Sequence, residues 1–278
     1  MSTINSQTRQ KIKGFLEGFI QNLVRSYKNR KFKQITTAQE YLSRNSSKGE
    51  LRPFHAAILP SSLLKITAFE RGFSTSLGST FEEVAKLIAI QNHREAVRSY
   101  TLMAEVSSSA LDEIERQKER YDRAIQLNSA KPSFSEMLES VINCCRDHDL
   151  EEKVVQVDLK IINNNNEAIL FEIKSPKPNK GQCLEVLQRL LRFHLFTHSL
   201  EMETQAYYAM PYNPWGKLEN YKWSVAKKYL PFDDTVLVGD QFWTVIGGEG
   251  TYEEVLSIYL EVGRDMEKSI LDQLAFGL

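Results

Sequence analysis

The chain has 278 residues, 42% of them hydrophobic, and a formal net charge of −1. That is enough apolar material for one or two folded domains, with no overall basic excess of the kind that marks a nucleic-acid binder by charge alone. The three cysteines, Cys144, Cys145 and Cys183, are odd in number and lack zinc-type spacing, which argues against a disulfide framework or a structural zinc. The first ten residues are polar and no apolar run approaches the roughly 20 residues of a membrane span, so a cytoplasmic protein is expected.

Ile12, Phe15, Phe19, Leu23 and Tyr27 recur at helical spacing and predict an amphipathic helix over 9–28. Arg25, Lys28, Arg30, Lys31 and Lys33 follow as a basic stretch. Residues 43–50 read as a polar loop, and 1–60 as a helical N-terminal extension. The Gly/Ser/Thr-rich segment 70–80 predicts a loop. A helix over 81–96 follows, with Thr80 and Glu83 spaced as a capping box. Further helices are expected over 100–126 and 134–147.

The clearest strand signal is VVQVDLKII over 154–162. Val155, Val157, Leu159 and Ile161 fall on one face; Gln156, Asp158 and Lys160 fall on the other. Four asparagines, 163–166, make a turn. AILFEIKS over 168–175 alternates again, and Pro176 and Pro178 stop it. A helix over 181–198, strands over 205–210 and 235–238, and a helix over 251–274 complete the chain. The sum is an α/β fold: a mixed central sheet flanked by helices, in one domain over 1–278, with a sheet core at 150–250.

Asp158 and Glu172-Ile173-Lys174 fit the D…(D/E)-x-K pattern of metal-dependent nucleases. Residues i and i+2 of a strand share a face, so Glu172 and Lys174 point the same way. If Asp158 opposes Glu172 in a hairpin, residues 163–167 form the connection and all three groups meet on one side of the sheet. Asp158, Glu172 and the Ile173 carbonyl are hard oxygen donors suited to Mg²⁺. Lys174 would position the attacking hydroxide and stabilise the transition state. Glu83 is a third candidate metal ligand, with Glu82 as its neighbouring alternative.

FEIKSPKPNKGQ (171–182), MPYNPWG (210–216), YKW (221–223) and GDQFWTVIGGEGTYEEVL (239–256) resemble the TdeIII family of type II restriction endonucleases. So does FSTSLGSTFEEVA (73–85). The resemblance implies a restriction-endonuclease-like PD-(D/E)xK core, Mg²⁺ dependence, and double-strand cuts at a short palindromic, GGNCC-like site that leave 5′-phosphate ends. Val157 stands where the pattern usually has proline. A homodimer on double-stranded DNA and a companion DNA methyltransferase are the expected partners. A structure-specific or repair nuclease of the same fold, and a non-enzymatic DNA-binding protein, are the alternatives.

For DNA contact the candidates are Arg71, Ser74, Thr75 and Ser76, taken as a loop before a helix N-terminus; Lys177, Asn179 and Lys180 in the loop after the catalytic strand; and Asn213 and Trp215 in a proline-flanked loop. Arg189 and Arg192 are possible base readers, a solvated helix face being the plainer reading. His194 and His198, one helical turn apart, read as ordinary partly buried residues.

Overall fold

A computed structural model describes residues 2–28, 37–43 and 53–274. In chain order the elements are α1 (Ser6–Lys28), α2 (Ala38–Leu42), α3 (Pro53–Ile58), α4 (Ser61–Asn92), β1 (Glu95–Ser107), α5 (Ser108–Gln126), α6 (Phe134–Ile142), β2 (Leu150–Ile162) and β3 (Ala168–Ile173). Then come α7 (Lys180–Ser199), β4 (Thr204–Met210), a 3-10 turn (Leu218–Asn220), α8 (Ser224–Tyr229), α9 (Phe232–Thr235), β5 (Val236–Val238), α10 (Asp240–Gly247) and α11 (Thr251–Leu274). Arg30, Lys31 and Lys33 and the polar loop at 44–50 lie outside the described residues. Among those described, no helix is long and apolar enough to cross a membrane.

The chain divides into two compact units, one of residues 1–8 and 81–255, the other of 9–80 and 256–278. The first holds a five-stranded sheet in the order β1-β2-β3-β4-β5. β1, β2 and β3 run antiparallel; β3, β4 and β5 run parallel. Parallel pairing needs a crossover, and α7 supplies it between β3 and β4. Asn179 and Gln182 form a reciprocal capping box that starts α7, and Leu187, Leu190, Leu191 and Leu195 are fully buried along it.

β3 is buried at every residue, as a central strand covered on both faces should be. Leu170 joins the core cluster that contains the α7 leucines, while Phe171 packs edge-on against Phe242 of α10, centroids 5.5 Å apart. The apolar run of β2 serves both layers. Val155 and Val157 belong to the Leu170 cluster, whereas Leu159 pairs with Phe171. Between Val157 and Leu159 the β1 register passes from Tyr100↔Val157 to Arg98↔Leu159. Ser99, between those two β1 residues, takes a left-handed φ of 50°.

Two expectations are corrected here. Residues 100–107 are strand, not helix: β1 pairs along its length with β2, Leu102 with Val155 and Met103 with Val154 among them. The helix begins only at Ser108, capped by Ser107. Nor is 70–80 a loop. Helix α4 runs unbroken from Ser61 to Asn92, and Thr80 lies inside it. The Thr80 hydroxyl donates back to the Leu77 carbonyl and meets the Tyr259 hydroxyl at 2.9 Å, so the Thr80–Glu83 capping box is absent.

The helical unit shows why α4 survives its glycines and hydroxyls. Phe69 and Phe73, one turn apart, pack on Tyr27 and Phe19 of α1. The hydroxyls fold back onto the helix, Thr75 to Arg71 O at 2.8 Å and Ser79 to Ser76 O at 2.7 Å. Gly72 is required by close approach: a Cβ there would stand 2.1 Å from the Tyr27 hydroxyl.

Candidate active site

The β2–β3 hairpin pairs Leu159 with Phe171, Lys160 with Leu170, Ile161 with Ile169 and Ile162 with Ala168. Residues 163–167 connect the strands, and one further step of the register sets Asp158 opposite Glu172, as the sequence predicts. The Asn163 side chain closes the turn, accepting from the amides of Asn165 and Glu167, each at 2.9 Å.

Three functional groups converge at the open end of this hairpin. The Lys174 ammonium donates to Asp158 Oδ2 at 3.0 Å and lies 3.0 Å from Glu172 Oε1. Asp158 Oδ2 also accepts from the Ile173 backbone amide at 2.8 Å. The two acids differ in setting. Asp158 is partly exposed, whereas Glu172 is 2% exposed, on a strand flanked by Asp158's strand and by β4, where Tyr208 is its neighbour.

Burial, reinforced by the charge on Asp158, pushes the Glu172 carboxyl above its ordinary range despite Lys174 and Arg189 beside it. Burial alone would lower the Lys174 ammonium, but Glu172 and Asp158 together raise it. Two carboxylates forced together in a low-dielectric pocket favour a positive charge between them, and here an ammonium stands there.

Of the adjacent Glu82 and Glu83 on α4, it is Glu82 that feels the charges of this group. Its carboxyl is raised by burial and then by the charge on Asp158, with Arg98 and Lys174 opposing. Glu83, the expected third metal ligand, is engaged instead by Lys86 at 3.1 Å and Arg98 at 3.2 Å. Arg98 also reaches Glu82 at 3.3 Å. Among the described residues no three His, Cys, Asp or Glu side chains gather closely enough to hold a metal by themselves. Two carboxylates with a backbone carbonyl still fit an ion such as Mg²⁺, which keeps several waters and takes only one or two carboxylates from a protein.

The other expected contacts divide. Arg71, Ser74, Thr75 and Ser76 sit in the interior of α4, not before a helix N-terminus, so the argument for phosphate binding there falls. Ser74 instead donates to Glu70 at 2.7 Å. The Asn179 side chain is spent capping α7. Asn213 is buried, and its amide donates to Lys217 O at 2.7 Å while its oxygen accepts from Trp215 N at 3.0 Å, which closes the loop it was expected to present. Lys180 is ion-paired to Asp122 at 2.8 Å. Lys177 is exposed, 5.1 Å from the centre of the Trp215 ring, and that ring packs edge-on against Tyr221.

The loop that carries Lys177 is held rigidly. Tyr208 donates to Ser175 O at 3.1 Å, Tyr221 to Pro176 O at 2.7 Å and Trp223 to Pro178 O at 2.7 Å. The sequence pattern does not mark these three aromatic donors or Arg98 for the site, and it offers Arg189 only as a possible base reader, not as a partner of Glu172. Nothing in the local pattern around them points there; they reach it from β4, the 221–223 segment, β1 and α7. His194 is half-buried against Phe134, and desolvation lowers its imidazole to about 4, in keeping with an ordinary partly buried histidine.

A mixed five-stranded sheet flanked by helices, with an acid, a second acid and a lysine converging over one hairpin, defines an α/β protein of the restriction-endonuclease-like class. Residues 5–263 match the family model described as "Type II restriction endonuclease, HinfI", and the chain belongs to that family. It is 42% identical over 273 residues to the type II restriction enzyme HgiCII of Herpetosiphon aurantiacus, covering 98% of this chain and 99% of the relative. The type II restriction enzymes HgiEI and HgiBI of the same organism are 41% and 40% identical over 272 residues, covering 98% of each chain. No solved structure matches. The enzyme is thus a type II restriction endonuclease, the class that the sequence motifs suggested.

Proposed function

We propose that the chain makes Mg²⁺-dependent double-strand cuts in DNA at a short palindromic site, leaving 5′-phosphate ends, with a PD-(D/E)xK centre made of Asp158, Glu172 and Lys174. The observation that carries this reading is the single ammonium shared by two opposed carboxylates, one of them almost fully buried. Asp158, Glu172 and the Ile173 carbonyl would hold the cation with water filling the rest of its shell, and Glu82 would stand beside this set rather than in it. A divalent ion there supplies a lowered pKa for a water and neutralises charge building on the phosphate.

The remaining chemistry belongs to the chain. Asp158 is aimed by its bond from the Ile173 amide, so the first acid and the E-x-K segment are fixed to one another before anything binds. Lys174 is the only one of the three exposed to solvent as a residue, and its flexible stem lets the ammonium leave the acids for the scissile phosphate, where it orients the nucleophile and offsets the developing negative charge. Lys177, on the loop pinned by Tyr208, Tyr221 and Trp223, is placed to meet the adjoining phosphate backbone. Two such chains on a two-fold DNA site would each cut one strand, and the resemblance to the TdeIII family suggests a GGNCC-like site. A companion methyltransferase would protect the host's copies.

The test is digestion of plasmid and phage DNA with and without Mg²⁺, followed by end mapping. Discrete fragments with fixed 5′-phosphate ends, lost in Glu172→Gln and Lys174→Ala, are expected. Generalised nicking would favour the structure-specific nuclease, and cleavage unchanged in both variants would remove these residues from the chemistry.

A further inference from the structure

Arg189 is one of two cations on the buried acid of the site. Its Nη1 lies 3.1 Å from Glu172 Oε2, while Lys174 takes Oε1. Its Nη2 lies 3.2 Å from Glu185, one turn earlier on α7 and well exposed. The two oxygens of Glu172 are therefore distinguished: one takes Lys174, which it shares with Asp158, and the other is tied to α7. α7 cannot shift easily, because its capping box fixes its start and its leucines fill the core.

We infer that Arg189 is a positioning residue: by holding Oε2 of Glu172, it keeps Oε1 aimed at the cation position shared with Asp158. The inference rests on reading Glu172 as a metal ligand. Without Arg189, a buried carboxylate oxygen loses its partner, and leaving such a group unsatisfied is costly. The strain is relieved by rotating the carboxylate about its last side-chain bond, which turns Oε1 away from Asp158. Charge alone would do the opposite, since removing a cation next to the site removes repulsion toward Mg²⁺. The two effects predict opposite changes in metal affinity, so the sign identifies which one operates. The geometry also leaves little of Arg189 for DNA, because both Nη atoms are already taken by carboxylates.

Arg189→Ala and Arg189→Lys are compared with wild type by Mg²⁺ titration followed through thermal unfolding and calorimetry without DNA, and by steady-state cleavage. For Arg189→Ala we expect Mg²⁺ binding to weaken about tenfold, kcat to fall about tenfold or more at a fixed Mg²⁺ level, and KM for DNA to stay within twofold. The lysine variant should recover part of both losses. Circular dichroism and the unfolding midpoint separate these effects from misfolding, and the lysine variant keeps the test open if the alanine variant fails to fold. Tighter Mg²⁺ binding in Arg189→Ala, or a KM rise with kcat unchanged, overturns the inference. Glu172→Gln is the control. If it binds Mg²⁺ as wild type does, the reading of Glu172 falls; if it loses binding while Arg189→Ala does not, only the role of Arg189 falls.

Discussion

Two groups of carboxylates in the sheet-bearing unit have opposite electrostatics. Asp149, between α6 and β2, is surrounded by donors: the Ser109 amide at 3.0 Å, the Ser109 hydroxyl at 2.5 Å and the Ser108 hydroxyl at 3.3 Å. Hydrogen bonds from Ser107 and Ser109 hold its carboxyl far below the ordinary range. Glu172 has two cations beside it and still sits above that range, because burial and Asp158 outweigh them. Asp149 ties the start of α5 to β2 through Oδ2, which takes all three of these bonds, while its Oδ1 is buried without a partner. Glu172 and Glu82 have cationic partners, yet burial and the charge on Asp158 disfavour their ionised forms, a setting that a further positive charge would relieve. The difference teaches where this chain stores unfavourable energy for use, and it can be broken experimentally.

The largest expected effect separates the groups by activity. Glu172→Gln or Lys174→Ala should lower cleavage by at least 10²–10³-fold, about the loss seen when one charge-stabilising group leaves an active site. Ser107→Ala, which removes the cap of α5 and a neighbour of Asp149, should leave the activity per folded molecule unchanged. Parallel plasmid assays, normalised to folded protein, check this; a comparable loss in Ser107→Ala would erase the distinction.

The next effect is on stability and has the reverse ranking. Ser107→Ala should cost about 1 kcal/mol, a typical N-cap loss, and lower Tm by about 2–4 °C in a chain of this size. Calorimetric melts without divalent ion read it directly, and an unchanged Tm would mean that the Ser107–Asp149 cluster contributes nothing.

Much of the Asp158–Glu172–Lys174 group was legible in the sequence, and its surroundings were not. The β2–β3 hairpin is short-range: period-two apolar residues, an asparagine turn and a fixed register bring Asp158, Glu172 and Lys174 together. What holds them is long-range. Arg98 arrives from β1, a strand rich in helix-favouring Leu, Met, Ala and Glu and followed without a break by a charged helix, so its local preferences pointed to helix until pairing with β2 decided otherwise. Segment 70–80 failed for the opposite reason. Its Gly, Ser and Thr residues favour a loop locally, but Phe69 and Phe73 packing on α1 carries the helix through them. Asn179 and Asn213 bond to the backbone here, because short polar side chains next to turns serve the backbone as readily as a ligand.

The smallest effect carries the comparison into stability itself. Because the Glu172 carboxyl is raised in the folded state, its ionised form is worse off there than in the unfolded chain. The sign follows from linkage: its contribution is fully present below the unfolded pKa, near about 4.3, and is lost as pH rises through the higher folded value. Asp149 runs the other way, contributing above its unfolded pKa and losing that as pH falls through its depressed folded value. Without divalent ion, Glu172→Gln should therefore match wild type near pH 4 and exceed it slightly in Tm at neutral pH. Asp149→Asn should be the less stable variant at neutral pH and converge on wild type only in stronger acid. If both acids hold the ion as proposed, adding Mg²⁺ should raise the wild-type Tm and leave Glu172→Gln nearly unmoved, reversing their order. If Glu172→Gln is less stable than wild type at every pH without metal, Lys174 and Arg189 outweigh burial, and Glu172 belongs with Asp149 as a structural acid.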